Sequence, residues 1–290
     1  MNNSPMNPAW SVERVCELIG EAGRIALSYF EQPEIERKPD FSVVTAADRA
    51  IETRLQQEFD HPEEGYFLIG EETIHLYDND YFAEALRRTC WVVDPIDGTA
   101  PYANKLPTWG VSIGYMEAGR LTQGALFLPR TGDLLITDGE TVLHERTHRD
   151  PKSWSFDALE PFDPGPQPYV PSGMISLPQE IRRKARFDSR NPFQAIGSAV
   201  YSVVKLALGG YLGYVARIKL WDLGGAIPIL RRLGYHIVLA DGTEMDESVT
   251  EKTWHLDPES TRRWKSKDLL FIAKDPETIR HMREAYTLPG

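Results

Sequence analysis

The sequence predicts a mixed α/β protein built as two layered lobes, and two patterns carry that prediction. In the first half, two amphipathic helical stretches give way to short apolar segments separated by glycine-containing turns; in the second half, strand-like and helical segments alternate. The composition agrees, because 41% hydrophobic and 26% charged residues over 290 positions is the balance of a folded globular chain and not of a disordered one.

The opening MNNSPMNPAW lacks the basic start and apolar core of a secretory signal and reads as a short disordered lead-in. Across residues 10–30, Val12, Val15, Cys16, Ile19, Ile25, Ala26 and Tyr29 recur mostly every three or four positions, one face of a helix. Thr45-Ala-Ala-Asp48 resembles a capping box opening a second helix, with Ile51, Leu55 and Phe59 spaced four apart behind it. Residues 66–69 predict a buried strand ending at Gly70 and residues 80–88 a short helix. Residues 91–93 predict a strand ending at Asp94, where Pro95 prevents its continuation. Residues 110–116, 124–128 and 133–137 then predict three strands of an antiparallel sheet.

Between His144 and Pro171 the periodicity disappears and prolines accumulate, which places a linker there and a boundary near residue 150. The expected units are thus an α+β lobe over 1–150 and an α/β lobe over 151–290. In the second, 174–177 predicts a strand, Pro178 opens a helix through Arg186, and 199–208 forms another helix. Residues 213–216 predict a strand, 223–233 a helix, and 235–239 and 269–273 two more strands.

Charge and cysteine content exclude several roles. Lys+Arg 32 against Asp+Glu 43 gives a net charge of −11, which argues against a general nucleic-acid binder, because phosphate backbones are gripped by clustered cations. The most apolar stretch, 196–215, is interrupted by Lys205 and Gly209-Gly210 and reads as a core helix, so no membrane role follows. Cys16 and Cys90 form neither a disulfide framework nor a metal-ligand pair, which makes a reducing cytoplasm the default.

The chemistry is concentrated in Trp91-Val-Val-Asp94-Pro95-Ile96-Asp97-Gly98-Thr99. An apolar strand delivers Asp94 to its end, and Gly98 permits a sharp bend beyond Asp97, so two carboxylates are held close together. Such a pair repels strongly in apolar surroundings unless a cation lies between them, and hard oxygen ligands select Mg²⁺ or a similar ion. Gly98 and Thr99 also present backbone N–H groups suited to an anion such as phosphate. Taken singly, each segment has a plain explanation. Asp-Pro-Ile-Asp-Gly is rich in turn residues, Glu71-Glu72 is the composition of solvated surface, Asp222 is an ordinary helix N-cap, and Asp48 is the partner of Thr45.

Their joint occurrence is more specific. Gly70-Glu71-Glu72, Asp94-Pro-Ile-Asp97-Gly-Thr99, Gly197-Ser198-Ala199 and Trp221-Asp222 resemble, in order, the motif set of the inositol monophosphatase family of Mg²⁺-dependent, lithium-sensitive phosphatases. Asp40-Phe-Ser-Val-Val-Thr45-Ala-Ala-Asp48 is similar to that family's N-terminal Asp-x-x-Val-Thr-x-x-Asp segment, and the resemblance runs from about Trp10 to Lys274. It implies a layered αβαβα sugar-phosphatase fold, a phosphoric monoester hydrolase, a homodimer and two to three Mg²⁺ per site. Glu71, Asp94 and the Ile96 carbonyl would hold one ion, Asp94, Asp97 and Asp222 a second, and Glu71 a third through water. Thr99, hydrogen-bonded to Asp48, would position a water for in-line attack, while the Gly98 and Thr99 N–H groups bind phosphate. Asp97, Gly197, Ser198, Ala199 and the residue at Val215 would line the substrate site.

Three departures bear on substrate. Family members acting on inositol phosphates usually carry Glu where this chain has Val215, and an apolar side chain cannot accept a hydroxyl bond. Pro101-Tyr102 replaces a frequent Asn-Phe, and Gly224, Gly225 and Pro228 are expected to kink the helix after Asp222 and displace it. The expected substrate is therefore a small phosphate monoester of inositol, sugar or polyol type, with histidinol phosphate, a sugar bisphosphate or adenosine 3′,5′-bisphosphate as alternatives. A catalytically silent Mg²⁺- and phosphometabolite-binding protein is the alternative of another class. Arg182-Arg183-Lys184-Ala-Arg186 reads as a solvated basic face, His144 and His148 as loop residues, and Trp109, Trp154 and Trp264 as packing residues.

Overall fold

The computed structural model describes residues 9–37, 43–147, 150–179 and 186–287. Helix α1 (Val12–Phe30) is capped by Ser11, whose hydroxyl accepts from Arg14 N at 3.3 Å, and it buries Val15, Leu18, Ile19, Ala22 and Ala26 on the predicted face. A short antiparallel pair, β1 (Ile35–Arg37) and β2 (Val43–Thr45), leads into α2 (Ala46–Phe59), and the Thr45/Asp48 capping box is present as expected. Asp40 and the rest of 38–42, His148, Arg182, Arg183 and Lys184 lie outside the described residues, as does most of the helix expected over 178–186.

The first sheet has seven strands in sequence order: β3 (Tyr66–Gly70), β4 (Thr89–Asp97), β5 (Gly110–Glu117), β6 (Arg120–Leu128), β7 (Asp133–Asp138), β8 (Thr141–Arg146) and β9 (Glu160–Pro161). Only the β3/β4 pair, joined through α3 (Asn79–Ala85), is parallel. The second sheet, of order β12-β10-β13-β15-β14, is formed by β10 (Ile175–Ser176), β12 (Phe193–Gln194), β13 (Gly213–Ala216), β14 (His236–Leu239) and β15 (Leu270–Ala273). Between the sheets lie α5 (Ala199–Ala207), α6 (Leu220–Gly224) and α7 (Ala226–Arg232), after a single turn α4 (Thr99–Ala103), and α8 (Pro276–Ala285) closes the far side. A small pair of β11 (Arg186–Phe187) and β16 (Tyr286–Thr287) completes the elements.

Strand alternation explains the layering. On β4, Trp91 and Val93 face Ile51, Leu55 and Ile19 of α1 and α2, whereas Cys90 and Val92 face Val203, Leu223 and Ile227 of the middle helices. On the second sheet, Tyr214, Ala216, Leu270 and Ile272 join those same middle helices, while Val215, Phe271 and Ala273 pack on Ile279 and Met282 of α8. The order of layers is helix, sheet, helix, sheet, helix, the αβαβα arrangement. Both halves of the sequence thus share one central core, and the chain stays on the first sheet as far as Pro161. Trp109, Trp154 and Trp264 are all buried, as packing residues should be.

Several expectations need correction. Strand β4 does not end at Asp94 but runs through Pro95 to Asp97, with a bulge in its pairing: Asp94 faces Ser112 and Asp97 faces Gly110. Pro95 is tolerated because the bulge relieves it of donating to the ladder. The stretch from His144 is not structureless, since β8 covers Thr141–Arg146; its periodicity is hidden because only Val142 on that strand is buried. The helix expected over 223–233 begins earlier, at Leu220, and is divided at Gly225.

Candidate active site

The bulge in β4 creates the core of the site. Residues three apart on a regular strand point to opposite faces, but one extra residue between them resets the alternation, so Asp94 and Asp97 emerge on the same side. Asp222, from the first turn of α6, meets them there. Asp94, Asp97 and Asp222 each offer a carboxylate oxygen, all within 4.8 Å of one another.

Glycines bring Asp222 into place. A Cβ on Gly114 of β5 would lie 2.4 Å from the Gly224 carbonyl carbon, and one on Gly124 of β6 would lie 2.0 Å from the Gly225 oxygen. The junction of α6 and α7 therefore rests backbone to backbone on the first sheet, with Gly225 N donating to Ser112 Oγ at 3.3 Å. The expected kink after Asp222 is present as the break at Gly225, but it does not carry the carboxylate away; it lets the turn seat itself beside Asp94.

Asp97 is anchored from the opposite side. Its Oδ2 accepts from Val200 N at 2.7 Å and from the Ser198 hydroxyl, at the N-terminus of α5. Ser198 also caps that helix, accepting from Tyr201 N at 3.0 Å. Gly98, with φ +90°, turns the chain into α4, and a Cβ there would meet Ser198 Cβ at 2.8 Å, so both conformation and space call for glycine. Thr99 Oγ1 lies 3.4 Å from Asp48 Oδ1 and 3.2 Å from the Ile96 carbonyl oxygen, while the other Asp48 oxygen accepts from Thr45 N at 2.8 Å.

Glu71 approaches from the loop after β3. That loop is fastened by Glu52, a buried residue one turn beyond Asp48 on α2, which accepts from Glu72 N at 2.8 Å and Thr73 N at 2.7 Å. Glu52 excludes any side chain at position 70, where a Cβ would lie 2.3 Å from its Oε1. The Glu71 side chain accepts from Lys219 Nζ at 2.8 Å, and Lys219 N donates to Asp222 Oδ2 at 2.8 Å.

Electrostatics single out the cluster. Burial, reinforced by Glu71, Asp97 and Asp222, holds the Asp94 carboxyl well above the usual carboxylate range. Burial pushes Asp97 up to about 6 against the Ser198, Val200 and Ala199 hydrogen bonds, and burial with the charges of Asp97 and Glu71 pushes Asp222 up to about 8. Asp48 is likewise raised by burial to about 7. Asp94 Oδ1 is fully buried and has no hydrogen-bond partner among the described residues. An orphaned carboxylate oxygen is costly in such a place. The carboxylate oxygens of Asp97 and Asp222 beside Asp94 make an all-oxygen donor set that fits a hard divalent cation.

A cleft of about 170 Å³ opens on this cluster, lined by Asp97, Gly197, Ser198, Ala199, Tyr214, Arg217 and Asp222. Glu71 lines a separate, larger hollow of about 780 Å³ with Thr73, Leu76, Lys219 and Trp221. Val215 is a predicted substrate-site residue that does not line this cleft: strand alternation turns it into the cluster with Ile175, Leu177 and Phe271, where it is fully buried, and its neighbour Tyr214 lines the cleft instead. The sequence reading missed Glu52, whose signal is its spacing of four from Asp48, and Lys219, whose signal is a lysine at the N-cap position before Leu220-Trp221-Asp222. His144, expected as a loop residue, lies instead on β8, 3.6 Å from Asp133 and packed on Phe162.

The family model "Inositol monophosphatase family" matches residues 11–270. The chain belongs to the inositol monophosphatase family. It is accordingly a phosphoric monoester hydrolase, with the expected fold. Human "Inositol monophosphatase 1" is 22% identical over 249 residues, 81% of each chain. "Histidinol-phosphatase" of Chlorobaculum parvum is 33% identical over 122 residues, 41% of this chain and 44% of that one. A solved "IMPase/NADP phosphatase complexed with Mg2+ and phosphate" superposes with a TM-score of 0.67 at 16% identity, covering 92% of each chain. No helix among the described residues of this phosphatase is long and apolar enough to cross a membrane.

Proposed function

We propose that this phosphatase hydrolyses a small phosphate monoester of inositol, sugar or polyol type in a Mg²⁺-dependent reaction at the Asp94/Asp97/Asp222 cluster. The observation that carries the reading is the buried Oδ1 of Asp94, without a hydrogen-bond partner among the described residues, on a carboxylate that offers an oxygen within 4.8 Å of those of Asp97 and Asp222. In this reading Glu71, Asp94 and the Ile96 carbonyl would hold one ion and Asp94, Asp97 and Asp222 a second, with Glu71 also serving a third. When bound, the ions neutralise phosphate charge and lower the pKa of the attacking water.

The protein's own groups do the rest. Asp48 fixes the Thr99 hydroxyl, and the pair orients the water for in-line attack. The backbone N–H groups of Gly98 and Thr99 hold the phosphate, and Gly197, Ser198 and Ala199 form the wall against which the alcohol portion lies. Val215 contributes only packing beneath Tyr214. Histidinol phosphate is the second reading, favoured by the relative of that name aligned over part of this chain. A homodimer in the cytoplasm completes the proposal.

The test is phosphate release with and without Mg²⁺ from inositol 1-phosphate, histidinol phosphate, fructose 1,6-bisphosphate, adenosine 3′,5′-bisphosphate and glycerol 2-phosphate. Mg²⁺-dependent turnover of a polyol phosphate supports the reading; turnover unaffected by a chelator refutes it, and preference for histidinol phosphate selects the second reading.

A further inference from the structure

We infer that the Lys219 ammonium is a built-in counter-cation of the Glu71 carboxylate, so that a divalent ion engages Glu71 only by displacing it. The inference rests on the proposed Mg²⁺ site and concerns how this chain's own residue tunes it. Lys219 Nζ lies 2.8 Å from Glu71 Oε1, and the two side chains are only 36% and 18% exposed. The ammonium also lies 5.0 Å from the centre of the Trp221 ring, whose face supplies a second attraction. The same residue's backbone N–H holds Asp222 Oδ2, so the tether that carries the ammonium is itself fixed to the carboxylate cluster.

Ionised together, Asp94, Asp97, Asp222 and Glu71 would repel one another with little room for water around Asp94, and a lysine paired with Glu71 relieves part of that repulsion. Lysine suits an exchangeable role, because its compact charge rides on a flexible stem and can withdraw along the larger hollow that it lines with Thr73, Leu76 and Trp221. The two sides of the site then differ. The Asp94/Asp97/Asp222 side has an oxygen that no group among the described residues engages, whereas the Glu71 side has a cation already seated.

The experiment is a Mn²⁺ titration of the full chain followed by electron paramagnetic resonance, with Mg²⁺ as competitor, comparing the wild type with Lys219→Met, Lys219→Gln and Lys219→Arg. The expected result is a tight class and a weak class of ions in the wild type. Either neutral variant that keeps its wild-type circular dichroism should tighten the weak class by roughly tenfold or more, the scale of one charge at close range. The arginine variant, which keeps the charge, should retain the wild-type isotherm. Neutral variants with unchanged or weaker binding overturn the inference while leaving the Mg²⁺ site standing, and an arginine variant that tightens as the neutral ones do overturns it too. If no chain binds Mn²⁺ or Mg²⁺, both the inference and the metal reading fall.

Discussion

The two sides of the site are built on different principles. Asp94, Asp97 and Asp222 are placed by backbone: a strand bulge, the start of α5, and a helix junction lying on two glycines of the sheet. Glu71 is placed by side chains, with Glu52 holding its loop and Lys219 meeting its carboxylate, beside a Leu76 that is 62% exposed. Backbone contacts at near-touching distance have one solution and cannot relax, whereas a charge pair can exchange partners. On the proposed reading, the carboxylate cluster is therefore the rigid part of the site, and the Glu71 side is where binding strength would be adjusted.

The largest effect expected from disturbing the rigid side is on catalysis. Asp94→Asn should lower phosphate release by at least roughly a thousandfold, the scale of losing a major electrostatic stabiliser, while raising the thermal midpoint of the metal-free protein by removing a carboxyl that burial and its acidic neighbours make costly to ionise. Steady-state kinetics and calorimetric melting check the two halves of that statement. Next in size is Gly124→Ala, whose Cβ would lie 2.0 Å from the Gly225 oxygen. A destabilisation of about 3 kcal/mol or more is expected from denaturant titration, with weakened Mn²⁺ binding because Asp222 moves with the helix junction.

An ion pair between the buried Asp133 and the half-buried Lys205, 2.7 Å apart, ties the middle helix α5 to the first sheet. Burial by itself would raise the Asp133 carboxyl, but His144, Lys205 and Thr131 around it hold it well below the ordinary range. A depressed folded value means that the contribution is complete above the unfolded value near about 4 and is lost as pH falls further. Urea midpoints measured from pH 6 down to pH 3 should fall, and Asp133→Asn should remove about 2 kcal/mol at pH 6 while flattening that dependence. The smallest effect is expected from Ser198→Ala, about 1 kcal/mol from the lost helix cap, with a modest drop in turnover as Asp97 loses one of its donors.

How much of this was legible in the sequence depended on distance along the chain. Helices α1 and α2, the strands of the first sheet around Asp94, and the capping box at Asp48 follow from local periodicity and cap residues, and the structure has them nearly where expected. The order of motifs also named the residues that gather at the cleft. What was not legible rests on contacts between distant segments. Gly114 and Gly124 look like ordinary strand and turn glycines until Gly224 and Gly225 are laid on them, more than ninety positions away. Pro95 reads as the end of a strand because a bulge is invisible without its partner strand. Val215 matched the position of a substrate-contacting residue, yet the alternation of β13 turns its side chain toward α8 and gives the cleft to Tyr214. Strand β8 is polar on its open side and leaves no alternation to detect.

The most direct test of the central claim is a crystal grown with Mn²⁺ and measured for anomalous scattering. The account predicts a strong anomalous peak within bonding distance of Asp94, Asp97 and Asp222, absent from Asp94→Asn crystals grown alongside. Mn²⁺-saturated wild-type crystals with no peak at these three carboxylates, from protein that still releases phosphate, would contradict it.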